Sequence, residues 1–363
     1  MGKKDQPSKI SLRSSLFPHV SPYIDFTSVV HKDLLPFVSW NLIKVQYSSC
    51  CVQTLSVAAP EGLDQFNSVN ESLLLAGLDV RREIISSTVL VWACGANMEK
   101  EQNETDFSNL RQNVKINQLP GQWILGRKDC LARCYQAVQP TGQWKGWDFQ
   151  PKTFLLPQDA EHLEEYFQKK RSIFIIKPVN WFSGLGIKIT NKLEDIPLSG
   201  GKVVAQEYIE RPLLIDGRKF DVRVFLLVTS LDPLQLYIYD DGVVSVCTEE
   251  YSSHPDTLPI KPVHLTNYNI NKTHQNFSLK KQRLKLTDLW TKLRTDLGVD
   301  TETVWRETKE VCLATVLSGL EQLRAEFLSA RVKSSYNCFK LFAFDILYDQ
   351  QLKPWLLEVG FSF

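Results

Sequence analysis

The chain has 363 residues, of which 43% are hydrophobic and 23% charged, as is typical of a globular protein with a substantial core. Its 42 lysines and arginines nearly balance 41 acidic residues, so the formal net charge of +1 favours neither nucleic acid nor an anionic membrane as partner. No run approaches the roughly 18 consecutive apolar residues of a membrane helix, and the polar amino terminus lacks a signal-peptide core. We therefore expect two or three domains in the cytosol.

The cysteines do not indicate a metal site. Cys130 and Cys134 are separated by three residues, and no second Cys or His pair follows at the spacing of a zinc finger. The eight cysteines are therefore expected to be free thiols, several of them buried.

The first 120 residues give short apolar runs such as Val89–Trp92 and little periodicity, so they predict no particular fold. From residue 121 onwards the sequence indicates individual helices and strands. Gly121–Asp129 is expected to be a loop that enters a structured region, Pro157–Glu161 opens a predicted helix, and Ser172–Pro178 is a predicted buried strand that closes at Lys177.

Beyond residue 200, strands and helices alternate with antiparallel hairpins. The predicted elements are a strand over Val203–Ile209, a long strand over Phe220–Val228, a hairpin over Leu234–Val246 that turns at Asp241-Gly242, and helices over 287–329 with Asp300 or Thr301 as a cap. This mixture predicts an α+β protein.

The segment Phe342–Val359 resembles two apolar strands joined by a polar turn, each strand carrying one carboxylate. If the turn is centred between Gln351 and Leu352, Asp345 and Glu358 oppose each other and project to the same face. Two desolvated carboxylates repel unless a cation lies between them, and Mg²⁺ is the obvious candidate. The alternative is a surface hairpin whose acids point to water.

Charged residues also interrupt the predicted strands. Lys219, Asp221 and Arg223 alternate with hydrophobic residues and therefore share one face, and Lys177 closes another strand. Together with the opposed carboxylates they outline a cradle for a triphosphate and Mg²⁺, and the glycines of Ser183–Gly186 suit a loop whose amides approach phosphate oxygens. Taken singly, the glycines fit a plain turn, and Lys177 fits a strand-end lysine that reaches for solvent.

From about residue 110 to the end, the sequences of several motifs resemble the tubulin-tyrosine-ligase-like family. Residues Ser11–Pro18 and the Gly121–Lys128 loop resemble its polyglutamylase branch. The motifs are Lys177-Pro178, Gln206–Ile209, Pro212–Arg223, Asp232-Pro233-Leu234, Tyr239–Gly242, His264–Lys272, Phe344–Leu347 and Lys353–Val359. The resemblance implies an ATP-grasp fold, in which two α+β lobes hold ATP. It divides the chain into an amino-terminal domain (1–120), a central lobe (121–205) and an incomplete carboxyl-terminal lobe (206–363).

The resemblance also implies a reaction, in which ATP phosphorylates a tubulin carboxylate and the amine of free L-glutamate attacks the acyl phosphate. By motif match, Lys177, Lys219 and Arg223 neutralise phosphate charge, and Ser183 and Gly184 form the grasp loop. The remaining nucleotide contacts are Gln206, Glu207, Tyr208, Ile209, Asp221, Thr266 and Asn267, the Mg²⁺ ligands are Asp345 and Glu358, and the glutamate contacts are Tyr268, Asn269 and Arg283. The expected partners are ATP, Mg²⁺, free L-glutamate and tubulin or microtubules, with the chain a monomer at the cytoskeleton, cilium or basal body.

Three positions depart from the family pattern. Gly360 stands where the family has a metal-binding Asn, Ser245 where it has an Arg for the free amino acid, and Ser183 where the grasp loop usually has an Arg; the chain also ends early, at Phe363. Three interpretations stay open: a glutamate ligase for tubulin tails, a weak or inactive truncated relative that binds tubulin or nucleotide, and an ATP-grasp ligase for small acids and amines. A scaffold without a ligand fits the retained motifs poorly. Lys280–Lys285 is either a basic patch for an acidic tail or a solvated loop.

Overall fold

The structure, a computed structural model, describes residues 56–59, 67–75, 78–86, 88–93, 107–138, 148–179 and 184–361. Within these ranges the chain is a mixed α/β protein with three sheets. None of the helices described there has the length and apolar character needed to cross a membrane. The described cysteines, Cys130, Cys134, Cys247, Cys312 and Cys338, are free and buried, as expected.

The first sheet has four short parallel strands in the order β2-β1-β3-β4. The strands are β1 (Ser56–Ala58), β2 (Asp79–Arg81), β3 (Thr88–Val91) and β4 (Lys115–Ile116), and helix α1 (Asn67–Leu75) lies between β1 and β2 in the chain. Ile116 also bonds to the segment that leads into the third sheet, since its N–H donates to Asn337 O at 2.7 Å and its carbonyl accepts from Phe339 N at 2.9 Å. The first sheet is thereby fastened to the part of the chain that follows.

The second sheet is antiparallel, in the order β5-β8-β6-β7. Helices α2 (Trp123–Gly126) and α3 (Lys128–Val138) precede it, and its elements are β5 (Thr153–Leu156), α4 (Ala160–Lys169), β6 (Phe174–Pro178), β7 (Lys188–Thr190) and β8 (Val203–Glu207). The helix predicted to open at Pro157–Glu161 and the strand predicted to close at Lys177 are confirmed as α4 and β6. Residues 123–126, expected in a loop, are helical. Leu163 of α4 is fully buried against Phe154 and Phe174 of the sheet.

The third sheet carries most of the core, in the order β12-β11-β10-β13-β14, with β9 paired to the start of β10. Its strands are β9 (Leu214–Ile215), β10 (Arg218–Leu231), β11 (Leu234–Val246), β12 (Arg283–Lys285), β13 (Lys340–Tyr348) and β14 (Pro354–Phe361). The helices are α5 (Lys261–His264), α6 (Tyr268–Asn271), α7 (Leu279–Gln282), α8 (Leu286–Leu297), α9 (Thr301–Ser318) and α10 (Leu320–Ser329). Asp300 caps α9, as predicted, by accepting hydrogen bonds from the N–H groups of Glu302 and Thr303.

The two faces of β10 separate core from site. Phe220, Val222 and Val224 are completely buried in the cluster that includes residues of α8 and α9. Since side chains alternate along a strand, Lys219, Asp221 and Arg223 project from the opposite face, as the sequence predicted.

The prediction of a turn at Asp241-Gly242 is wrong. Strand β11 runs without interruption from Leu234 to Val246, and the chain reverses instead at Asp232-Pro233. The pairing of β11 with β10 shifts by two residues just before Gly242, and a Cβ atom on Gly242 would lie 2.5 Å from the carbonyl oxygen of Arg223. The glycine therefore serves a close approach of two backbones at a bulge.

Candidate functional site

A cleft lies between the polar face of the third sheet, the second sheet and the segment around α5. Most of the residues predicted to bind nucleotide or metal line this cleft: Lys177, Gln206, Glu207, Tyr208, Ile209, Lys219, Asp221, Thr266, Asn267, Asp345 and Glu358. The structure thus brings together residues from five strands and two loops.

Asp345 and Glu358 are paired directly across β13 and β14, as predicted, although the turn is centred on Gln351 instead of between Gln351 and Leu352. Immediately beyond this pair the register shifts, so that Ile346 faces Leu356 and Leu357 is the extra residue of a β-bulge. The carbonyl oxygen of Leu357 accepts a hydrogen bond of 3.2 Å from Lys177 Nζ. The bulge, which the sequence did not predict, therefore contributes a backbone group to the cleft.

Each of the two carboxylates has its own cationic partner. Arg223 donates from Nε and Nη2 to the two oxygens of Asp345, both at 2.8 Å. Burial raises the pKa of Asp345, and the ion pair with Arg223 counteracts that rise. Burial would also raise the pKa of Glu358, but Lys128, Lys177 and Arg223 outweigh it and lower that pKa.

The donor set fits a magnesium ion shared with phosphate. Mg²⁺ in nucleotide enzymes is typically held by one or two carboxylates together with substrate phosphates and water, and Asp345 and Glu358 are two hard oxygen donors on one face. Across the described ranges, no group of three or more His, Cys, Asp or Glu side chains forms a complete protein cage for a metal. The pair therefore suits a metal that arrives with the nucleotide.

Two buried lysines border the same cleft. Lys177 Nζ donates to Gln206 Oε1 at 2.8 Å, and burial lowers the pKa of Lys177 to about 8. Lys219 Nζ donates to the carbonyl oxygen of His264 at 2.7 Å and lies 5.6 Å from the centroid of the Tyr208 ring. Both Nζ groups donate to neutral oxygens and, among the described residues, not to a carboxylate.

The segment after β8 offers backbone rather than side chains to a ligand. The carboxylate of Glu207 is engaged outside the cleft by Tyr166, Lys170 and Ser172. No backbone hydrogen bond of the described residues uses the N–H of Ile209. Among the described residues, that N–H therefore has no backbone acceptor, and a planar base would need a donor of this kind, in line with the predicted adenine contact.

The loop predicted to cover the phosphates is described only in part, because Ser183 lies outside the described residues. Gly184 has a φ of +78°, and a Cβ atom there would lie 2.8 Å from Asn267 Oδ1. A glycine is required for both reasons. Asn267 follows Thr266, whose hydroxyl donates to Asp221 on the polar face of β10. Gly184 therefore lies close to a segment that is bonded to that face.

The residues predicted to bind glutamate lie beside the cleft and do not line it. Arg283 on β12 faces Ser245 on β11, and its Nη1 donates to Ser245 Oγ at 2.7 Å. The Arg283 guanidinium lies 5.9 Å from the centroid of the Tyr268 ring, and Tyr268 and Asn269 are exposed on α6. Lys280, Lys281 and Lys285 are exposed nearby in the chain.

Two residues lie in or beside the cleft although the sequence predicted no role for them. Lys128 Nζ lies 3.9 Å from Glu358 Oε2, yet its segment was expected to be only a loop. His264 is completely buried and lines the cleft. It begins the motif His264–Lys272, which was assigned contacts only at Thr266, Asn267, Tyr268 and Asn269.

The burial of His264 should make the stability of the fold decrease at acidic pH. Burial, with a smaller contribution from Lys219, lowers the pKa of His264 to about 4. The folded protein therefore prefers the neutral ring, and the associated stability is complete above pH 6.5 and lost as the pH falls towards 4. We therefore compare the free energy of unfolding of wild type with that of His264→Gln. The difference between the two should decrease by about 3 kcal/mol as the pH falls from 6.5 to 4. Urea unfolding at a series of pH values measures it, and a pH-independent difference would contradict the expectation.

Replacement of Gly360 by asparagine should strengthen metal binding. It lies two residues beyond Glu358 on the same face, its φ is not positive, and a Cβ atom would meet only Ala343 O, at 3.8 Å. Gly360→Asn therefore fits and adds an amide oxygen beside the carboxylates. We expect the affinity for Mn²⁺ in the presence of ATP to rise about tenfold, measured by calorimetry. Gly360→Ala, which adds only the methyl group, is the control, and equal affinities for the two variants would refute the prediction.

Comparison with known proteins agrees with this geometry. Residues 107–362 match the tubulin-tyrosine ligase family. The tubulin monoglutamylase TTLL4 of Mus musculus is 34% identical over 357 residues, 96% of this chain and 28% of the relative. The tubulin polyglutamylase ttll-4 of Caenorhabditis elegans is 33% identical over 97% of this chain and 55% of the relative, and the tubulin polyglutamylase TTLL6 of Mus musculus is 38% identical over 71% and 33%.

The chain thus spans 28% of the length of the Mus musculus relative TTLL4 and 55% of that of the Caenorhabditis elegans relative. The family match covers the whole of the second and third sheets, including every described residue of the cleft. The chain therefore belongs to the tubulin-tyrosine ligase family.

Proposed function

We propose that the chain is an ATP-dependent ligase with an ATP-grasp-like fold that adds L-glutamate to glutamate side chains of tubulin tails. The observation that carries the proposal is the facing pair Asp345 and Glu358, with two buried lysines beside it in one cleft. The names of the relatives, tubulin monoglutamylase and polyglutamylase, support tubulin as the substrate. The site of action would be the cytoplasmic cytoskeleton, including cilia and basal bodies.

The proposed reaction has two steps. A carboxylate oxygen of the tail attacks the γ-phosphorus of ATP, and the bond between this phosphorus and the β-phosphate oxygen breaks. ADP departs, and the tail carboxylate has become an acyl phosphate. The amine of free glutamate then attacks the acyl carbon, phosphate departs with the carbon–oxygen bonding electrons, and the amine nitrogen loses a proton. Since a carboxylate is a poor electrophile and phosphate a good leaving group, the first step makes the second possible. Positioning and charge stabilisation are what the protein must supply.

The residues of the cleft suit those requirements. Lys177 and Lys219 would bind phosphate oxygens, and the N–H of Ile209 would hold the base. Asp345 and Glu358 would hold Mg²⁺, which supplies charge neutralisation for the phosphates when bound. Arg223, now on Asp345, would be free to contact the transferring group once a cation takes its place. None of these side chains needs to act as a nucleophile.

Arg283 would bind the free glutamate. The family resemblance expects an arginine at position 245, and Ser245 instead holds the guanidinium of Arg283 at 2.7 Å. The guanidinium of Arg283 on β12 thus lies beside position 245 of β11. The guanidinium lies 5.9 Å from the centroid of the Tyr268 ring, and its N–H groups that are not bonded to Ser245 would bind a substrate carboxylate.

A second candidate is a nucleotide-binding relative without ligase activity, and Gly360 favours it. With glycine at this position the proposed metal site would have only the two carboxylates Asp345 and Glu358 as protein ligands. ATP would then bind while phosphoryl transfer would be slow.

Intact-mass spectrometry of tubulin decides between the candidates. Tubulin is incubated with the chain, Mg-ATP and isotope-labelled glutamate, and Glu358→Gln serves as control. The ligase proposal expects labelled mass additions that vanish in the control. A folded chain that binds ATP and adds no label would refute it and support the second candidate.

A further inference from the structure

We propose that His264 is a positioning residue, which fixes Lys219 and Tyr208 relative to each other and so sets the affinity of the cleft for nucleotide phosphates. The inference rests on the proposed nucleotide site. It does not depend on ligation to tubulin, since it concerns ATP binding alone.

The ring of His264 is held at both nitrogens. Nε2 lies 3.0 Å from the carbonyl oxygen of Thr257, and Nδ1 lies 3.0 Å from the hydroxyl oxygen of Tyr208. A carbonyl oxygen can only accept, so the neutral ring carries its proton on Nε2. Nδ1 is therefore the acceptor for the O–H of Tyr208, and no nitrogen of His264 is left for proton transfer to a substrate.

The backbone of the same residue holds the lysine. His264 is the last residue of α5, where helix carbonyls lack partners within the helix. Its carbonyl oxygen accepts the hydrogen bond of 2.7 Å from Lys219 Nζ. One residue thus bonds to Tyr208, beside the expected base, and to Lys219, beside the expected phosphates.

A purely structural role would rest on packing. The His264 ring meets the rings of Tyr208 and Tyr251 edge-on, with centroids 5.7 Å apart in both cases. If packing alone mattered, loss of the hydrogen bonds would lower stability without separating one nucleotide from another. A positioning role should instead weaken ligands with phosphates more than ligands without them.

The test uses the full chain and four variants. Tyr208→Phe removes only the hydroxyl group, His264→Gln retains a donor for Thr257, and His264→Asn retains an acceptor for Tyr208. His162→Gln, on the exposed face of α4, is the control for a histidine change outside the site. Dissociation constants for Mg-ATP and for adenosine are measured by calorimetry, and thermal unfolding shows whether each variant is folded.

We expect Tyr208→Phe and His264→Gln to weaken Mg-ATP by about tenfold or more and adenosine by less than about threefold. His264→Asn should be milder, and the double variant Tyr208→Phe/His264→Gln no worse than the weaker-binding single variant, since both remove the same bond. Equal weakening of ATP and adenosine, or unchanged ATP affinity in a folded variant, would overturn the proposal. If neither histidine variant folds, Tyr208→Phe alone decides.

The outcomes separate this proposal from the proposed function. A wild-type chain that binds no ATP overturns the nucleotide site and the positioning role together. A wild-type chain that binds ATP and shows the expected selectivity, yet adds no glutamate to tubulin, supports the role of His264 and refutes the ligase.

Discussion

Lys177→Met should reduce glutamate ligation by about 10² to 10³-fold while leaving the fold intact. The loss is expected because the Lys177 ammonium is buried in the cleft, where a charge that meets developing phosphate charge is most effective. The stability should change by less than about 2 kcal/mol. Removal of a buried charge is favourable, whereas Gln206 Oε1 and the carbonyl of Leu357 each lose a donor, and the two effects oppose each other.

Lys340→Met is the matched control for this experiment. Lys340 is also almost completely buried, and burial lowers its pKa to about 8 as well, yet it lies against the ring of Phe361 outside the cleft. It should retain ATP binding and ligation. The measurements are ATP titration, initial rates of labelled glutamate incorporation and urea unfolding. If Lys177→Met binds ATP within threefold of wild type, the lysine does not contact the phosphates.

Gly242→Ala should destabilise the protein by about 2 to 4 kcal/mol. The new Cβ atom would lie 2.5 Å from a backbone oxygen, that of Arg223, and a backbone cannot move aside as a flexible side chain would. The strain would fall on the residue that holds Asp345, so metal-dependent ATP binding should weaken in the fraction that still folds.

Gly201→Ala provides the comparison, because its Cβ atom would meet nothing within 4 Å. Urea unfolding curves of the two variants against wild type give the result. Equal midpoints for Gly242→Ala and wild type would show that β10 and β11 separate without cost, contrary to the close pairing at the bulge.

The contrast between the last hairpin and the Asp241-Gly242 pair shows where sequence reasoning succeeds. The facing of Asp345 and Glu358 was predicted from the two-residue period of strands and one polar turn, both local properties. In the structure it also depends on the bulge at Leu357, which compensates for a turn centred on Gln351. Asp-Gly is also a local turn indicator, but Asp241-Gly242 lies inside a strand. The chain reverses at Asp232-Pro233, and β11 pairs with β10 on both sides of Gly242. Tertiary pairing overrides a turn propensity of two residues.

Other parts of the site had no local pattern. Lys128 meets Glu358 only because α3 packs against β14, and the bond from Arg283 to Ser245 exists only because β12 joins the edge of β11. The first sheet was missed for a similar reason. Its parallel strands have two to four residues each, too short for any periodicity to appear.

The bond from Lys177 to the bulge at Leu357 joins residues 180 positions apart. At the usual pace of synthesis, about 5 to 20 residues per second, a ribosome needs roughly 10 to 40 seconds to make the intervening chain. The second sheet is complete by Glu207, so Lys177 waits through most of this interval for β14, which supplies the carbonyl of Leu357. During that time the Lys177 ammonium remains hydrated and keeps an otherwise apolar strand from associating with other nascent chains. The charge that we propose for phosphate binding in the finished protein would then already act as a gatekeeper against aggregation while the protein is being made.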